Sequence, residues 1–325
     1  MNTHYLAWWN VENLFSMKND PDRSDKLERA LGKELNGWTA AMLDKKLGQL
    51  ASIIEQMNGG AGPDILGVCE VESEKVLNRL VGELSALGRS YKTVHADTQD
   101  GRGIDVAFIY DSKKYDAVTS EVFNHFVLRR NATRDILQVS FLTKPDGNKL
   151  VLMGNHWPSR RGGELESEPY RIMAAETLAY FHERTIQIDG KDQAVVVMGD
   201  FNDEPFNRSL VEYALSERVE RRVKSKRSRN PYLLNLSWDL IGQGEGTHVY
   251  DGTPGMLDQI LVNRPVLRDD SPFEVDASTV QVLKFPEMTG RSSVPRRFGR
   301  PSSASTFDET GFSDHFPIAV VLNEG

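Results

Sequence analysis

Cysteine is almost missing: Cys69 is the only thiol in 325 residues. One cysteine excludes an internal disulfide framework and any multi-cysteine zinc site. No uninterrupted apolar run approaches the roughly 18 residues of a membrane helix, so membrane insertion is not expected. Positive charge is in deficit, with 39 Lys and Arg against 47 Asp and Glu and a net charge of −8. Proteins that coat nucleic acid non-specifically are usually basic overall, so that class is disfavoured. An enzyme with a local basic patch stays open. There is no internal repeat and no long low-complexity tract. Met1-Asn2-Thr3-His4 runs straight into Tyr5-Leu6-Ala7-Trp8-Trp9. The lack of a basic segment and a cleavable apolar segment there predicts a cytoplasmic protein.

The composition itself is globular, 39% apolar and 26% charged. The chain is long enough to build a core without staples. No linker-like shift in composition interrupts it, so a single domain over residues 1–325 is expected. Short apolar runs recur, each ending abruptly in polar residues. Leu6 to Trp9 ends in Asn10, Ile65 to Cys69 in Glu70, Leu150 to Met153 in Gly154-Asn155-His156, and Val195 to Met198 in Gly199-Asp200-Phe201-Asn202. Runs this short, rich in Val, Ile and Leu, read as strands buried on both faces. Ile104 to Tyr110, Ile136 to Thr143, Leu257 to Val262 and Ile318 to Leu322 are further strand candidates.

Helical spacing lies between them. Leu43, Leu47, Leu50, Ile54 and Met57 share one helix face, and Gly59-Gly60 and Pro63 stop it. Leu77, Leu80, Leu84 and Leu87 repeat the pattern before Gly88. A third helix is expected to start at Pro169, with Ile172, Met173, Ala175, Leu178, Ala179 and Phe181 behind it. Strands with interspersed helices give an α/β or α+β class.

Two stretches stand apart. Arg218 to Arg229 holds seven basic residues against Glu220 alone, and Met288 to Phe307 holds Arg291, Arg296, Arg297 and Arg300 with no acid. Both read as solvated loops or, alternatively, as phosphate-contacting arms on an acidic protein.

Strand ends in a twisted sheet converge on one edge, where ligands of α/β proteins bind. That edge would collect Asn10, Glu70, His156, Asp200, Asn202, Asp258, Asp314 and His315. The set is hard oxygen donors plus two histidines, which suits Mg²⁺, and also Mn²⁺ or Ca²⁺, better than zinc or copper. Carboxylates and imidazoles around such a cation are what in-line hydrolysis of a phosphate ester requires. Each residue also has an ordinary alternative: Asn10 as a turn cap, Asp200 and Asn202 as an Asx-turn, His156 as a structural histidine.

Taken in order, the motifs favour the functional alternatives. They are Trp9-Asn10-Val11-Glu12-Asn13-Leu14-Phe15, Gly67-Val68-Cys69-Glu70-Val71-Glu72, Arg102-Gly103-Ile104-Asp105-Val106-Ala107 and Asn155-His156-Trp157-Pro158-Ser159. Gly199-Asp200-Phe201-Asn202-Asp203, Leu257-Asp258-Gln259-Ile260 and Ser313-Asp314-His315-Phe316-Pro317 follow. This series strongly resembles the endonuclease/exonuclease/phosphatase superfamily, the DNase I-like enzymes. The resemblance implies a four-layer αββα sandwich, two packed mixed β-sheets flanked by helices, and a divalent-metal-dependent phosphoesterase.

Carried over position by position, it makes Asn10 and Glu70 the metal pair, with Glu70 the main ligand and Asp314 near the metal. It places His156 on the leaving-group side, where the abasic-site endonuclease branch usually has tyrosine. That points toward DNase-like and phosphodiesterase-like branches. Asp200 and Asn202 would orient the attacking water and hold the phosphate. His315 would bind the phosphate and Asp258 would orient His315, while Asp105 is a candidate partner of His156 or equally a surface residue of the strand Ile104 to Tyr110.

The family cuts many phosphoesters, so local features must choose the substrate. Arg102, Arg160, Arg296 and Arg297 are the expected phosphate-binding residues, because Arg and Lys supply most of the affinity for a DNA backbone. The expectation is a monomeric Mg²⁺-dependent nuclease of low sequence specificity acting on DNA. A phosphatase or phosphodiesterase on a small phosphoester or lipid head group is the enzyme alternative. A non-catalytic nucleic-acid-binding relative is the third reading. It is disfavoured because every expected polar position is filled by a competent residue.

Overall fold

The computed structural model describes residues 2–23, 25–98, 102–128 and 133–325. In one sheet β14 (Phe273–Val282), β15 (Ile318–Glu324), β1 (Asn2–Leu14), β2 (Ile65–Val71), β4 (Asp105–Asp111) and β3 (Tyr91–His95) lie side by side in that order. The second sheet runs β5 (Tyr115–His125), β6 (Ile136–Thr143), β7 (Lys149–His156), β8 (Ala194–Asp200), β13 (Asp258–Val262), β10 (Leu233–Asn235) and β9 (Ser216–Glu217). Both are mixed: β1 is parallel to β2 and β7 to β8, while β1–β15 and β8–β13 are antiparallel. A small separate hairpin joins β11 (His248–Tyr250) to β12 (Thr253–Gly255).

Side-chain alternation builds the layers. Leu6 and Trp8 enter the space between the sheets with Phe108, Phe141, Leu152, Met198 and Ile260. Their neighbours Ala7, Trp9 and Val11 face the other way, onto Leu43, Leu47, Leu50, Leu77 and Leu80. Those leucines belong to α2 (Ala40–Gly60) and α3 (Glu74–Glu83), capped by Thr39 and Ser73 respectively. On the far side α4 (Glu164–Asp189) covers the second sheet through Ala174, Ala175 and Leu178. The result is the helix–sheet–sheet–helix sandwich. Because β1 is buried on both faces, its sequence lacks the polar alternation of a half-exposed strand. Two glycines leave room for the large Trp8 ring. A Cβ on Gly67 would stand 2.5 Å from its Cε3, and one on Gly154 would stand 3.3 Å from its Cζ3 and 2.7 Å from Val106.

All eight expected strands are present, and the structure adds three substantial ones. β3, β5 and β14 alternate irregularly and leave many residues half-exposed or exposed, so their apolar signal is weak. The third helix begins at Glu164, with Pro169 inside it. Its buried stripe includes the polar residues Arg171, His182 and Thr185, whereas Met173 is 37% exposed. Arg171 is tolerated there because its Nε lies 2.7 Å from Oδ2 of buried Asp203. A short helix, α1 (Asp25–Leu31), precedes α2, and the first basic stretch contains α5 (Glu220–Lys224) where a loop was an expected reading. No helix among the described residues is long and apolar enough to cross a membrane.

Candidate active site

Strand register assembles the polar ends. Asn10 pairs with Cys69 across β1–β2, which places Glu70 at the same edge. His156 pairs with Asp200 across β7–β8, and Asp200 pairs with Asp258 across β8–β13. Leaving the sheet edge bends the backbone sharply. Glu12, Asn13, Glu70 and Asn202 all take positive φ, of 50°, 56°, 66° and 51°. For residues other than glycine such conformations are costly, and they concentrate at functional sites.

Asn10, Glu70, His156, Asp200, Asn202, Asp314 and His315 line one cleft of about 920 Å³, with Arg102 and Arg160 on its wall. The amide of Asn10 donates from Nδ2 to Oδ2 of Asp200 at 3.0 Å. The other Asp200 oxygen accepts from the Asn202 backbone N–H at 3.0 Å. Glu70 accepts from the Asn13 backbone N–H through Oε2 at 2.9 Å. Its Oε1 faces Nε2 of His156 at 3.7 Å. Asp258 stands one layer back. Its Oδ2 lies 2.6 Å from Nδ1 of His315, while Oδ1 accepts from Nε1 of Trp8 at 3.1 Å. The tryptophan that fills the inter-sheet core thus also fixes the carboxylate that orients His315.

The two histidines differ in charge. Burial lowers the proton affinity of His315, but Asp258 and then Asp200 override it and hold the ring protonated well above the usual histidine range. Burial drives His156 well below that range, and Arg134 and Arg102 push the same way, so it is neutral. Asp200 is pushed up to about 7, chiefly by burial. Environments that separate the proton affinities of neighbouring groups are how acid, base and electrostatic roles become distinct.

Asp200, Asp258 and His315 bring one ligand atom each within 4.8 Å of one another. The imidazolium already balances that cluster. Glu70, Asn10 and Asp314, which share the cleft wall, could hold a divalent cation. That donor set is hard oxygen, appropriate to Mg²⁺, Mn²⁺ or Ca²⁺.

Three expectations about single residues change. Asp105 does not serve His156: its carboxylate contacts Nε2 of His95 at 3.2 Å and the Thr98 backbone N–H at 3.1 Å. His156 Nδ1 is left without a hydrogen-bond partner. Arg297 and Arg296 are not on the cleft wall. Arg297 binds Oε1 of Glu12 through Nε and Nη2 at 2.9 and 2.6 Å, because Glu12 is 1% exposed and needs a counter-charge. Arg296 donates to the Glu287 carbonyl and the Thr310 hydroxyl. Arg160 does face the cleft, though it also bonds the Asn202 carbonyl at 2.8 Å.

Sequence reasoning passed over several supporting residues. Ser313 donates to the Asn10 carbonyl at 2.6 Å and accepts from the His315 backbone N–H, so it ties the last motif to β1. Lys46, fully buried, donates to the carbonyl of Phe312 just before that motif. Burial drops its proton affinity to about 8 despite Glu12, Asp314 and Glu70. His248 lies with its ring centroid 4.8 Å from that of His315. Ser313 and Glu12 sit inside the sequence motifs and were findable. Lys46 and His248 carry no sequence signal.

Compared with curated proteins, the sequence matches none. Solved structures share the fold. A humanized D. rerio TDP2 has a TM-score of 0.59 at 14% identity, with 99% of each chain covered. A mannosyl-6-phosphatase of Bacteroides thetaiotaomicron has a TM-score of 0.58 at 17% identity, covering 98% of this chain and 99% of that one. The human Nocturnin catalytic domain has a TM-score of 0.58 at 16% identity, covering 99% and 94%. At these identities the likeness concerns the fold alone. The family assignment comes from the sequence pattern itself, which matches residues 5–324, and by it the chain belongs to the endonuclease/exonuclease/phosphatase family.

Proposed function

We propose that the cleft hydrolyses a phosphate ester by in-line attack of water, with a divalent cation. One observation carries this reading: six chain segments deliver Asn10, Glu70, His156, Asp200, Asp258 and His315 to one place. Asp200, with its raised proton affinity, accepts the proton of the attacking water. The water oxygen bonds to phosphorus as the ester P–O bond breaks. Protonated His315, held by Asp258, binds a phosphate oxygen whose charge grows in the transition state. Neutral His156 donates a hydrogen bond to the departing ester oxygen, which takes its proton from solvent. Asn10 and Asn202 keep Asp200 in position. Held by Glu70 with Asn10 and Asp314, the cation would supply further charge stabilisation.

The substrate we favour is a compact phosphate ester with a ring-bearing organic part. The cleft is within the size range of small-molecule sites and larger than a phosphate alone needs. One wall is the β11–β12 hairpin, whose root is rigid. Thr247 donates to the Gly255 carbonyl, accepts from the Asp258 N–H through its hydroxyl and receives the Phe316 N–H on its carbonyl. Asp251 and Gly252 turn it with φ of 47° and 75°, as a tight two-residue hairpin turn requires. Tyr250 is 79% exposed at the cleft rim, a ring held out with little packed on it.

The nuclease reading rests on Arg102, Arg160 and Arg161 along the cleft, but Glu164, Glu204 and Asp251 interrupt that wall. In the second basic stretch, expected to add affinity for DNA, Arg297 and Arg300 are engaged with the protein's own Glu12 and Glu34.

The deciding experiment offers plasmid, RNA, an aryl phosphodiester and a sugar phosphate, each with and without EDTA. EDTA should abolish turnover, and the small esters should be cut better than plasmid. Removing a ring on which a base stacks loses about 1–3 kcal/mol. Tyr250→Ala should therefore lower kcat/KM for the aryl ester about tenfold and leave the sugar phosphate near wild type. Plasmid as the preferred substrate would return the assignment to a nuclease.

A further inference from the structure

The basic stretch Arg218 to Arg229 takes no part in the catalytic cleft. Two of its cations, Lys226 and Arg229, line a second cavity of about 240 Å³ that shares no lining residue with the cleft. That is the liquid volume of about eight waters. Lys191 and Arg264 join them, against the single acid Glu183. Among the described residues none of these four cations forms an ion pair or a side-chain hydrogen bond, and Nε of Arg264 is buried without a partner. Elsewhere on this acidic protein arginines are commonly paired, as in Arg23–Glu72, Arg89–Asp64 and Arg268–Asp270.

The cavity wall has a second unsatisfied feature. His182 is 1% exposed, and its Nε2 has no partner. The ring is hydrogen-bonded to the Pro231 carbonyl, and burial pushes its proton affinity down to about 4. It is therefore neutral, with a free lone pair on Nε2. Four cations lining one cavity beside a single lining acid suit an anion, and guanidinium forks match phosphate oxygens. An unsatisfied acceptor beside them calls for a hydroxyl. We propose that this cavity is a phosphate-binding site, taking the phosphate of a small hydroxylated phosphate ester or, more weakly, inorganic phosphate. From Glu164 at the cleft to His182 the α4 helix rises roughly 27 Å, so the site is separate from the chemistry and stands whether or not the hydrolase reading holds.

Calorimetric titration in EDTA with glycerol 3-phosphate, and separately with inorganic phosphate, tests it without reference to turnover. Wild type should bind both, the ester more tightly. Loss of charged hydrogen bonds predicts at least about tenfold weaker binding in Lys226→Gln/Arg229→Gln/Arg264→Gln. The double variant Lys226→Gln/Arg229→Gln changes exposed residues only. It should lose several-fold while its unfolding midpoint and its hydrolysis of the preferred ester stay at wild-type values. Binding that is absent at millimolar ligand, or unchanged in both variants, overturns the site. Equal affinity for the ester and for phosphate overturns the role given to His182.

Discussion

Replacing Asp258 by Asn isolates the charge that governs the site. Asp258 is 0% exposed. Asparagine has its shape and can still accept from Nε1 of Trp8, so packing is conserved. What disappears is the negative charge 2.6 Å from Nδ1 of His315. Removing one member of a buried ion pair typically costs about 3–5 kcal/mol. Here the remaining ring has an escape, because it can release its proton, and the loss therefore depends on pH.

In the wild type the folded proton affinity of His315 is raised above its unfolded value by Asp258 and Asp200, against burial. The stabilisation from such a group is complete below about pH 6.5 and fades as pH rises through the folded value. In the variant the main source of the rise is gone. The stability difference between the two proteins should be about 3 kcal/mol below pH 6.5 and shrink in alkali. Urea unfolding across that range measures it, and proton NMR of the His315 ring should show its titration moved down. Turnover should fall by about 10²–10⁴, in line with amide replacement of an aspartate that orients a catalytic histidine, and by less than in Asp200→Asn. A stability difference independent of pH, or an unmoved His315 titration, would refute the reasoning. Turnover lower than that of Asp200→Asn would reverse the two roles.

Glu70→Gln should keep the fold, weaken Mg²⁺ or Mn²⁺ binding by calorimetry and cut turnover about 10³-fold or more. Full activity of that variant in chelator would sink the metal assignment. Because burial pushes Asp200 up to about 7 and an acceptor must be ionised, kcat/KM should fall about tenfold per pH unit on the acid side. A bound cation moves the bend to lower pH, and a flat acid limb would exclude Asp200 as the proton acceptor. Arg297→Ala removes the guanidinium paired with buried Glu12 and leaves the Phe298 backbone N–H and the nearby charge of Lys46. Unfolding free energy should drop by about 1–3 kcal/mol, whereas Arg296→Ala, at a part-exposed pair, should change it by under about 1 kcal/mol. Equal effects from the two would show that Glu12 does not depend on Arg297.

Local pattern determined a large share of this protein. Val195 to Met198 and Ile65 to Cys69 are apolar throughout because both strand faces are covered, and such a run is visible in any single sequence. The polar residue that stops each run is visible too, and parallel neighbours bring those stops to one edge. Asn10, Glu70, His156 and Asp200 are therefore locatable from the order of residues alone. Edge strands such as Phe273–Val282 escaped because exposure on one side dilutes the apolar signal. Charge pairing escaped for a different reason. Arg297 and Glu12 are 285 residues apart in sequence, and nothing in either neighbourhood marks the other as its partner. In the same way Asp105 reads as a partner for His156, yet the antiparallel β3–β4 pairing sets His95 against Ala107 and within reach of that carboxylate. Periodicity is a property of adjacent residues, so the sequence displays it. Which charge neutralises which, and whether an arginine faces substrate or a buried glutamate, is decided only when distant segments pack and each buried charge must find an opposite one.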